Sequence, residues 1–258
     1  MESQRSADFP EMNKTGLRAE NSEGRDFNPP PSYYYREKSG GFLSTITIFI
    51  AAIALIGYLI FQGMKSFQLR SLNTGLEKKD SEMVERIADM SMTRRLLGQY
   101  VCDLYKLRVY YITRDEDKFE EMLRHMIETE YTDPADKKSF LETYFHTFLI
   151  KGNRKYADWL LEAIRKTGDE KFIRYNEESY SVMMDKKSDL IDKMVEDVNS
   201  KLYYGFALGV ILFMVAKQYS YLGDNTNALI YMQSAKSCFH PKAVYMPVVE
   251  KYLSEADV

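Results

Sequence analysis

A charge-free stretch near the N-terminus constrains this chain more than any other feature. Between Lys38 and Lys65 there are 26 consecutive residues without a charge, and the centre of the stretch, residues 42–61, is apolar almost throughout. A helix rises about 1.5 Å per residue, so this centre would span roughly 30 Å, the thickness of a bilayer's hydrocarbon layer. The sequence therefore predicts a transmembrane helix over residues 42–63, in contact with the lipid bilayer.

A cleaved signal peptide is the competing interpretation of this stretch. Signal peptides have a short basic segment, an apolar core of roughly 7–15 residues and a cleavage site of small residues. Here 41 largely polar residues come first, the apolar stretch is longer than such a core, and residues 61–67 lack a clean cleavage signature. We therefore predict an uncleaved, single-pass anchor in the cell membrane.

The segment before the anchor differs from the rest in composition. Residues 1–41 contain seven acidic and six basic residues and four of the chain's seven prolines, with few aliphatic side chains. Such a segment buries too little apolar surface to offset the entropy of ordering it, so the tail is predicted to be disordered. Within it, residues 29–35 (PPPSYYY) are predicted to be a spacer, with a polyproline II ligand as the alternative.

The part that follows the anchor is mildly acidic. Of the chain's 35 basic and 38 acidic residues, seven of each lie in residues 1–65, which leaves 28 and 31 for the remainder. Nucleic-acid binding rests on clustered Lys and Arg, so this balance argues against nucleic acid as a partner. We expect a juxtamembrane linker over residues 64–80, with a break at 73–75, and a folded domain over residues 81–258.

Apolar spacing predicts that this domain is all-α. Apolar residues recur at intervals of three and four along residues 119–127 and 141–149, and no strand-like alternation is sustained. Asp133-Pro134 supplies a helix start, and Gly152 and Gly223 follow apolar runs where helices end. Helices are predicted over residues 81–92, 93–113, 116–129, 134–151, 154–166, 170–184, 188–200, 202–222, 225–239 and 242–254.

The predicted helices repeat with a period. The second helices of successive pairs align on Phe119, Ala157, Ile191 and Ala228, at spacings of 38, 34 and 37 residues. Repeats of this length, each of two helices, are typical of solenoids, since one hairpin cannot cover its own apolar face. The predicted fold is an α-solenoid of about four antiparallel helical hairpins.

The last pair carries the clearest pattern. Its apolar and small residues, with Gly223-Asp224 at the turn, are Leu212, Val215, Ala216, Tyr219, Ala228, Met232 and Ala235. This pattern resembles the tetratricopeptide repeat, and the resemblance extends over roughly residues 95–241. The other pairs depart from it: Phe119 replaces an expected alanine, and residues 180–198 match in little beyond length.

The resemblance implies a function and a set of contact residues. In tetratricopeptide repeats the first helix of each pair lines a groove that binds protein or peptide partners. Carried onto this chain, the groove would include Arg108, Tyr111, Glu142, His146, Lys217 and Tyr221. The expected function is therefore a membrane-anchored adaptor or scaffold, whose partner is itself membrane-associated.

A second uncharged stretch, residues 202–216, competes with this interpretation. It lies between Lys201 and Lys217 and would measure about 22 Å as a helix, which is short for a bilayer. We predict a buried helix of the solenoid, with a membrane-touching face as the alternative.

The sequence offers no recognisable catalytic constellation. His125, His146 and His240 are isolated, and no pair has the spacing of a helical metal site. Cys102 and Cys238 lie in the first and last repeats and are predicted to be free thiols. We expect no enzyme activity, cofactor or metal. The alternative is a membrane-bound enzyme or small-molecule-binding protein whose site is built from scattered residues.

The membrane orientation rests on a small charge difference. Four basic residues follow the anchor closely, namely Lys65, Arg70, Lys78 and Lys79, whereas Arg36 and Lys38, with Arg25 further off, precede it. The positive-inside rule, together with two unpaired cysteines, favours a cytoplasmic helical domain. An exported domain behind a cytoplasmic tail is the alternative.

Overall fold

The computed structural model describes the backbone of residues 40–256 and the side chains of residues 44–256. Within this range the chain is all-α, with twelve helices and no strand. The predicted disordered tail and the segment 29–35 lie outside the described residues, apart from the start of the first helix.

Most helix boundaries lie within a few residues of the predicted ones, but the helix predicted over residues 93–113 is interrupted at Gly98, which has a positive φ of 86°, and forms two helices. The twelve helices are α1 (Gly40–Lys78), α2 (Ser81–Asp89), α3 (Ser91–Leu97), α4 (Gln99–Thr113), α5 (Glu116–Glu128), α6 (Pro134–Ile150), α7 (Arg154–Arg165), α8 (Glu170–Met184), α9 (Ile191–Asn199), α10 (Gly205–Tyr221), α11 (Asn225–Cys238) and α12 (Met246–Ala256).

The chain divides into two units, Met1–Leu55 and Ile56–Val258, with the boundary inside α1. In the first unit the described residues are the N-terminal turns of α1. Among the described residues, one helix is long and apolar enough to cross a membrane, over Ser44–Lys78. The second unit contains the remainder of α1 and the other eleven helices.

The break expected at residues 73–75 is absent, because α1 continues through it to Lys78. Leu72 is fully buried within the second unit, and Gly75 packs so closely on α2 that a Cβ there would lie 2.6 Å from Val84 Cγ2. Gly75 thus permits a close helix contact. The chain turns at Lys79, which has a left-handed φ of 55°, and Asp80 then caps α2 by accepting a hydrogen bond from the Met83 amide at 2.8 Å.

Local signals fix most of the other helix ends. Asp133 accepts a hydrogen bond from the Ala135 amide at 2.8 Å, with Pro134 in the first turn of α6. Gly152 and Gly223, with φ of 67° and 79°, end the turns after α6 and α10. Both are in the left-handed region that a side chain disfavours, as their places after apolar runs predicted.

Three predicted pairs pack as helical hairpins: α4 with α5, α6 with α7, and α10 with α11. The prediction of a similar third pair is wrong, because α8 packs closely against α7, α6 and α10, whereas α9 packs against α10. Helices α8 and α9 are joined instead by ion pairs, one of them between Arg174 Nη2 and Asp197 Oδ2 at 2.9 Å.

Helices α4, α6, α8 and α10 contact one another in chain order. Tyr111 of α4 lies 6.3 Å from Phe148 of α6, and His146 of α6 lies 5.3 Å from Tyr175 of α8, measured between ring centroids. Helix α8 in turn packs against α10. The helices α4, α6, α8 and α10 therefore form a continuous row.

Most of the uncharged stretch 202–216 is a buried helix, as predicted. Residues 205–216 form the N-terminal two-thirds of α10, in which every residue from Gly209 to Ala216 is buried, whereas residues 202–204 precede the helix and Tyr204 is 72% exposed. Ala228 and Met232 of α11 are buried against this region, and a Cβ at Gly209 would lie 2.7 Å from the Phe239 ring. Cys102 and Cys238 are free thiols on packed helices, also as predicted.

Candidate functional site

The six residues predicted to line a groove fall into different environments. Arg108 and Tyr111 are exposed on α4, and Lys217 and Tyr221 are half-buried on α10. Glu142 is half-buried on α6, and His146 is completely buried. His146 therefore cannot contact a partner directly, contrary to its predicted place in the partner-binding groove.

The structure connects Glu142 and His146 through Tyr175. Tyr175 Oη lies 2.5 Å from His146 Nε2 and donates a hydrogen bond to Glu142 Oε1 at 3.1 Å. On the other side of the ring, Tyr245 Oη lies 2.6 Å from His146 Nδ1. Glu142, Tyr175, His146 and Tyr245 thus form a chain of hydrogen bonds, which we call the α6–α8 relay.

The relay has one consistent direction when Glu142 is ionised. Tyr175 has a single hydroxyl proton, so donating it to the carboxylate leaves Tyr175 Oη as the acceptor from His146 Nε2–H. A neutral imidazole carries one N–H, and Nδ1 therefore accepts from the Tyr245 hydroxyl. Every buried polar atom of the imidazole is satisfied in this arrangement, and the relay ends on the carboxylate.

Burial determines the protonation states along the relay. Complete burial lowers the pKa of His146 from its ordinary value of 6.5 to about 3, which keeps the imidazole neutral. Burial also raises the pKa of Tyr175 and Tyr245 well above the ordinary value, so both hydroxyls keep their protons. For Glu142, burial raises the carboxyl pKa, against the opposing effects of the Tyr175 hydrogen bond and the Lys138 charge.

A cleft of about 290 Å³ opens beside Glu142. The aromatic residues along it are Phe172, Tyr175, Tyr203 and Tyr204, and the charged ones are Lys138, Glu142, Asp169 and Lys171. We call this the Glu142 cleft. Because the cleft holds two basic and two acidic side chains, its own charges balance.

Two of the four charges are paired within the cleft and two are not. Lys138 Nζ donates to Asp169 Oδ2 at 2.7 Å and lies 4.7 Å from the Phe172 ring centroid. Lys171 Nζ lies 5.3 Å from the Tyr203 ring centroid and has no carboxylate partner within residues 44–256. Glu142 has one hydrogen bond in that range, from Tyr175, and it uses Oε1.

A second surface surrounds Tyr111. Lys151 contacts Tyr111 both through a hydrogen bond to its hydroxyl and through its ring, 4.3 Å from the centroid. Beside it a cleft of about 470 Å³ includes Ile112, Phe119 and Tyr156. Tyr111 and Ile112 are each 42% exposed, so this surface presents apolar area to solvent. We call it the Tyr111 surface.

The remaining predicted residues make local contacts. Burial raises the pKa of Tyr144 on α6 to about 12, against the opposing effect of the nearby Arg108 charge. The Lys217 ammonium lies 5.1 Å from the Tyr221 ring centroid. Burial and the nearby Lys186 charge lower the pKa of Lys217. Neither pair contacts the α6–α8 relay.

The arrangement suits ligand binding better than covalent catalysis. Both imidazole nitrogens are engaged with tyrosine hydroxyls, and among the described residues the ring makes no hydrogen bond to a serine, threonine or cysteine side chain. Burial raises the pKa of the Cys102 thiol to about 11. Within the described part of the chain, no group of three or more His, Cys, Asp or Glu side chains is placed to hold a metal ion.

Sequence reasoning missed Tyr175 and Tyr245. They lie 29 and 99 residues from His146 along the chain, so no local motif connects them. One signal was available: Phe172, Tyr175, Asn176, Ser179 and Val182 recur at intervals of three and four along α8, and all five are buried. That spacing predicts that the Tyr175 hydroxyl is buried and needs a hydrogen-bond partner.

In comparisons with protein-family models, curated proteins and solved structures, none matched this chain.

Proposed function

We propose that this protein is a membrane-anchored adaptor, held by the helix that begins at residue 40 and binding a protein or peptide partner at the same membrane. The observation that carries the proposal is the row of helices α4, α6, α8 and α10, which contact one another in chain order. A row of this kind would present one side of each helix along an extended surface, similar to the arrangement by which solenoids with tetratricopeptide-like repeats bind partners.

Four accessible residues of this row support a binding surface of mixed character. Arg108 and Tyr111 are exposed and Lys217 and Tyr221 are half-buried, and together they provide two positive charges and two aromatic rings. Arginine and tyrosine are among the side chains that most often dominate binding energy at interfaces. The Tyr111 surface adds Ile112 and a cleft large enough to receive a partner's side chain. Because His146 is buried, it contributes to packing within the fold and does not contact the partner.

Anchoring contributes to the proposed function directly. Restricting both partners to one membrane raises their effective concentration, so that individually modest contacts suffice. The basic residues after the anchor favour the helical domain on the cytoplasmic side.

Crosslinking followed by mass spectrometry on the intact, membrane-embedded protein tests the adaptor. We expect a specific membrane-associated protein to crosslink to the unaltered chain and to be lost from an Arg108→Glu, Tyr221→Ala double variant. A matched control is Glu162→Ala, Lys166→Ala, which removes an exposed i,i+4 ion pair on α7. Identical partners for all three proteins would place the binding surface elsewhere, and the absence of any protein partner would contradict the adaptor.

A further inference from the structure

The Glu142 cleft contains an acidic group whose charge is incompletely compensated. Glu142 is half-buried and accepts one hydrogen bond, from Tyr175 at 3.1 Å, among residues 44–256. A carboxylate removed from water is stable only when hydrogen-bond donors or a cation replace its hydration. One tyrosine hydroxyl is little compensation, and it leaves Oε2 available for another donor.

The nearest basic side chain does not supply that donor. The Lys138 ammonium is committed to Asp169 at 2.7 Å and to the Phe172 ring, and its effect on Glu142 is a longer-range attraction. The relay behind Glu142 cannot supply it either, because Tyr175 has already donated its single proton. Glu142 Oε2 therefore remains open to a hydrogen-bond donor that enters the cleft.

The walls of the cleft suit a cationic donor. The rings of Phe172, Tyr175 and Tyr203 follow one another with centroids 6.3 and 5.7 Å apart. Aromatic faces attract ammonium groups, and two of these rings already have a lysine ammonium over them in this structure. A ligand with a primary ammonium would find ring faces and a carboxylate acceptor together.

The unpaired Lys171 charge indicates that the ligand also carries a negative charge. It is exposed in the first turn of α8, its ammonium lies 5.3 Å from the Tyr203 ring centroid, and no carboxylate pairs with it within the described range. A simple cation entering the cleft would be repelled by Lys171 and Lys138. A ligand that also carries an anionic group would pair with Lys171 instead.

We propose that the Glu142 cleft binds a small zwitterion, whose primary ammonium contacts Glu142 and whose carboxylate or phosphate faces Lys171. The volume of about 290 Å³ lies at the lower end of ligand pockets and suits a small ligand, such as a short ω-amino acid or an amino-alcohol phosphate. None of the four residues assigned to the adaptor surface, Arg108, Tyr111, Lys217 and Tyr221, lines the Glu142 cleft, so the two proposals are tested by different variants.

Isothermal titration calorimetry on the full-length protein in dodecyl maltoside tests the proposal. The probes are β-alanine, 4-aminobutyrate and phosphoethanolamine, with n-butylamine and butyrate as singly charged counterparts. We expect at least one zwitterion to bind about tenfold more tightly than both singly charged probes, because only a zwitterion pairs both free charges. Comparing the two amino acids with phosphoethanolamine shows whether the site prefers a carboxylate or a phosphate as the anionic group.

Two variants test the Glu142 contact and the Lys171 contact separately. Glu142→Gln removes the half-buried charge and should weaken the best zwitterion about tenfold, whereas Lys171→Met removes an exposed charge and should weaken it only severalfold. Glu162→Gln on α7 and Lys251→Met on α12 are matched controls with exposed side chains and should bind as the unaltered protein does.

Three results would overturn the proposal. The first is that no zwitterion of the panel binds; the second is that binding is the same in Glu142→Gln and Lys171→Met as in the controls. The third is that n-butylamine binds as tightly as 4-aminobutyrate, which would remove the anionic half of the ligand. Since Lys171 is exposed, its variant is expected to fold normally and keeps the test valid even if Glu142→Gln is unstable.

Discussion

At the scale of single residues, His146 makes the stability of the fold depend on pH. Its pKa is about 3 in the folded protein against an ordinary 6.5, so between these values the unfolded chain binds a proton that the folded chain does not. The free energy of unfolding must therefore fall as the pH drops below about 6.5. The neighbours facing the imidazole, Tyr175, Tyr245 and Asn176, stay uncharged in this range.

The size of the effect follows from the gap between the two pKa values. We expect a loss of about 2 kcal/mol between pH 7 and pH 5, measured by urea-induced unfolding in detergent. Glu142 opposes this, since its raised pKa favours the folded state as the pH falls toward the carboxyl range, so the net loss will be smaller. A His146→Gln variant, which cannot titrate, is the control, and an equal pH dependence in both proteins would contradict the prediction.

Tyr245 offers a second prediction at this scale. A Tyr245→Phe change removes the hydroxyl 2.6 Å from His146 Nδ1 and leaves that buried nitrogen without a partner. An unsatisfied buried polar atom costs roughly 1–3 kcal/mol, and the thermal unfolding temperature should fall accordingly. Tyr252→Phe on α12, whose hydroxyl makes no hydrogen bond in the described structure, is the matched control. Equal stability of the two variants would mean that the relay contributes nothing.

The burial of His146 could not be predicted from the sequence. Helix α6 packs against α7 on one side and α8 on another, so two of its faces are apolar. The spacing of its apolar residues therefore does not identify a single polar face. Phe145, His146, Phe148 and Leu149 are all buried. A polar residue in such a helix is placed by partners distant in sequence, here Tyr175 and Tyr245.

At the scale of helices, boundaries were predictable because their signals are local. Asp115, Asn153, Asp169 and Asp224 each accept a hydrogen bond from an amide of the first turn that follows. The partners of α8 and α9 were not predictable in the same way. Ion pairs such as Arg174–Asp197 and Lys193–Glu178 join these helices without close backbone packing, and charged residues on helix surfaces carry no pairing signal in the sequence.

Close packing between α10 and α11 leads to a prediction at this scale. Ala228 is fully buried on α11, and Ala216 is fully buried on α10. Replacing Ala228 with Leu should destabilise the protein by roughly 1–3 kcal/mol, because extra methylene groups in a filled core force neighbours out of place. Gln233→Leu, on the exposed face of the same helix, should have little effect. The measurement is thermal unfolding by circular dichroism, and no difference between the variants would show that Ala228 tolerates bulk.

At the scale of the whole molecule, the course of α1 redefines where the folded domain begins. Leu72 and Gln68 are buried within the second unit, and Tyr105 of α4 donates a hydrogen bond to Asn73 at 2.7 Å. A fragment that starts at residue 76 loses these contacts. Both it and a fragment starting at residue 64 should be mostly helical by circular dichroism, but the longer one should unfold at a clearly higher temperature. A strand-dominated spectrum, or equal unfolding temperatures, would contradict this.

The orientation of the whole molecule decides which compartment the proposed partner and zwitterion must share. The basic residues that follow the apolar stretch predict a cytoplasmic helical domain, although the excess over those that precede it is small. Cysteine labelling determines the orientation. Cys102 and Cys238 are first replaced by serine. One variant then carries a single cysteine at Ser6, and a second variant carries it at Lys251, which is exposed on α12.

An impermeant maleimide applied to intact cells should then label the Ser6→Cys variant and spare the Lys251→Cys variant. The physical reason is that the bilayer bars the charged reagent from the cytoplasmic side, while the tail is exposed outside. Permeabilised cells are the control, in which both variants should be labelled. The reverse pattern would place the helical domain outside the cell, where the adaptor's partner and any zwitterion for the Glu142 cleft would be extracytoplasmic.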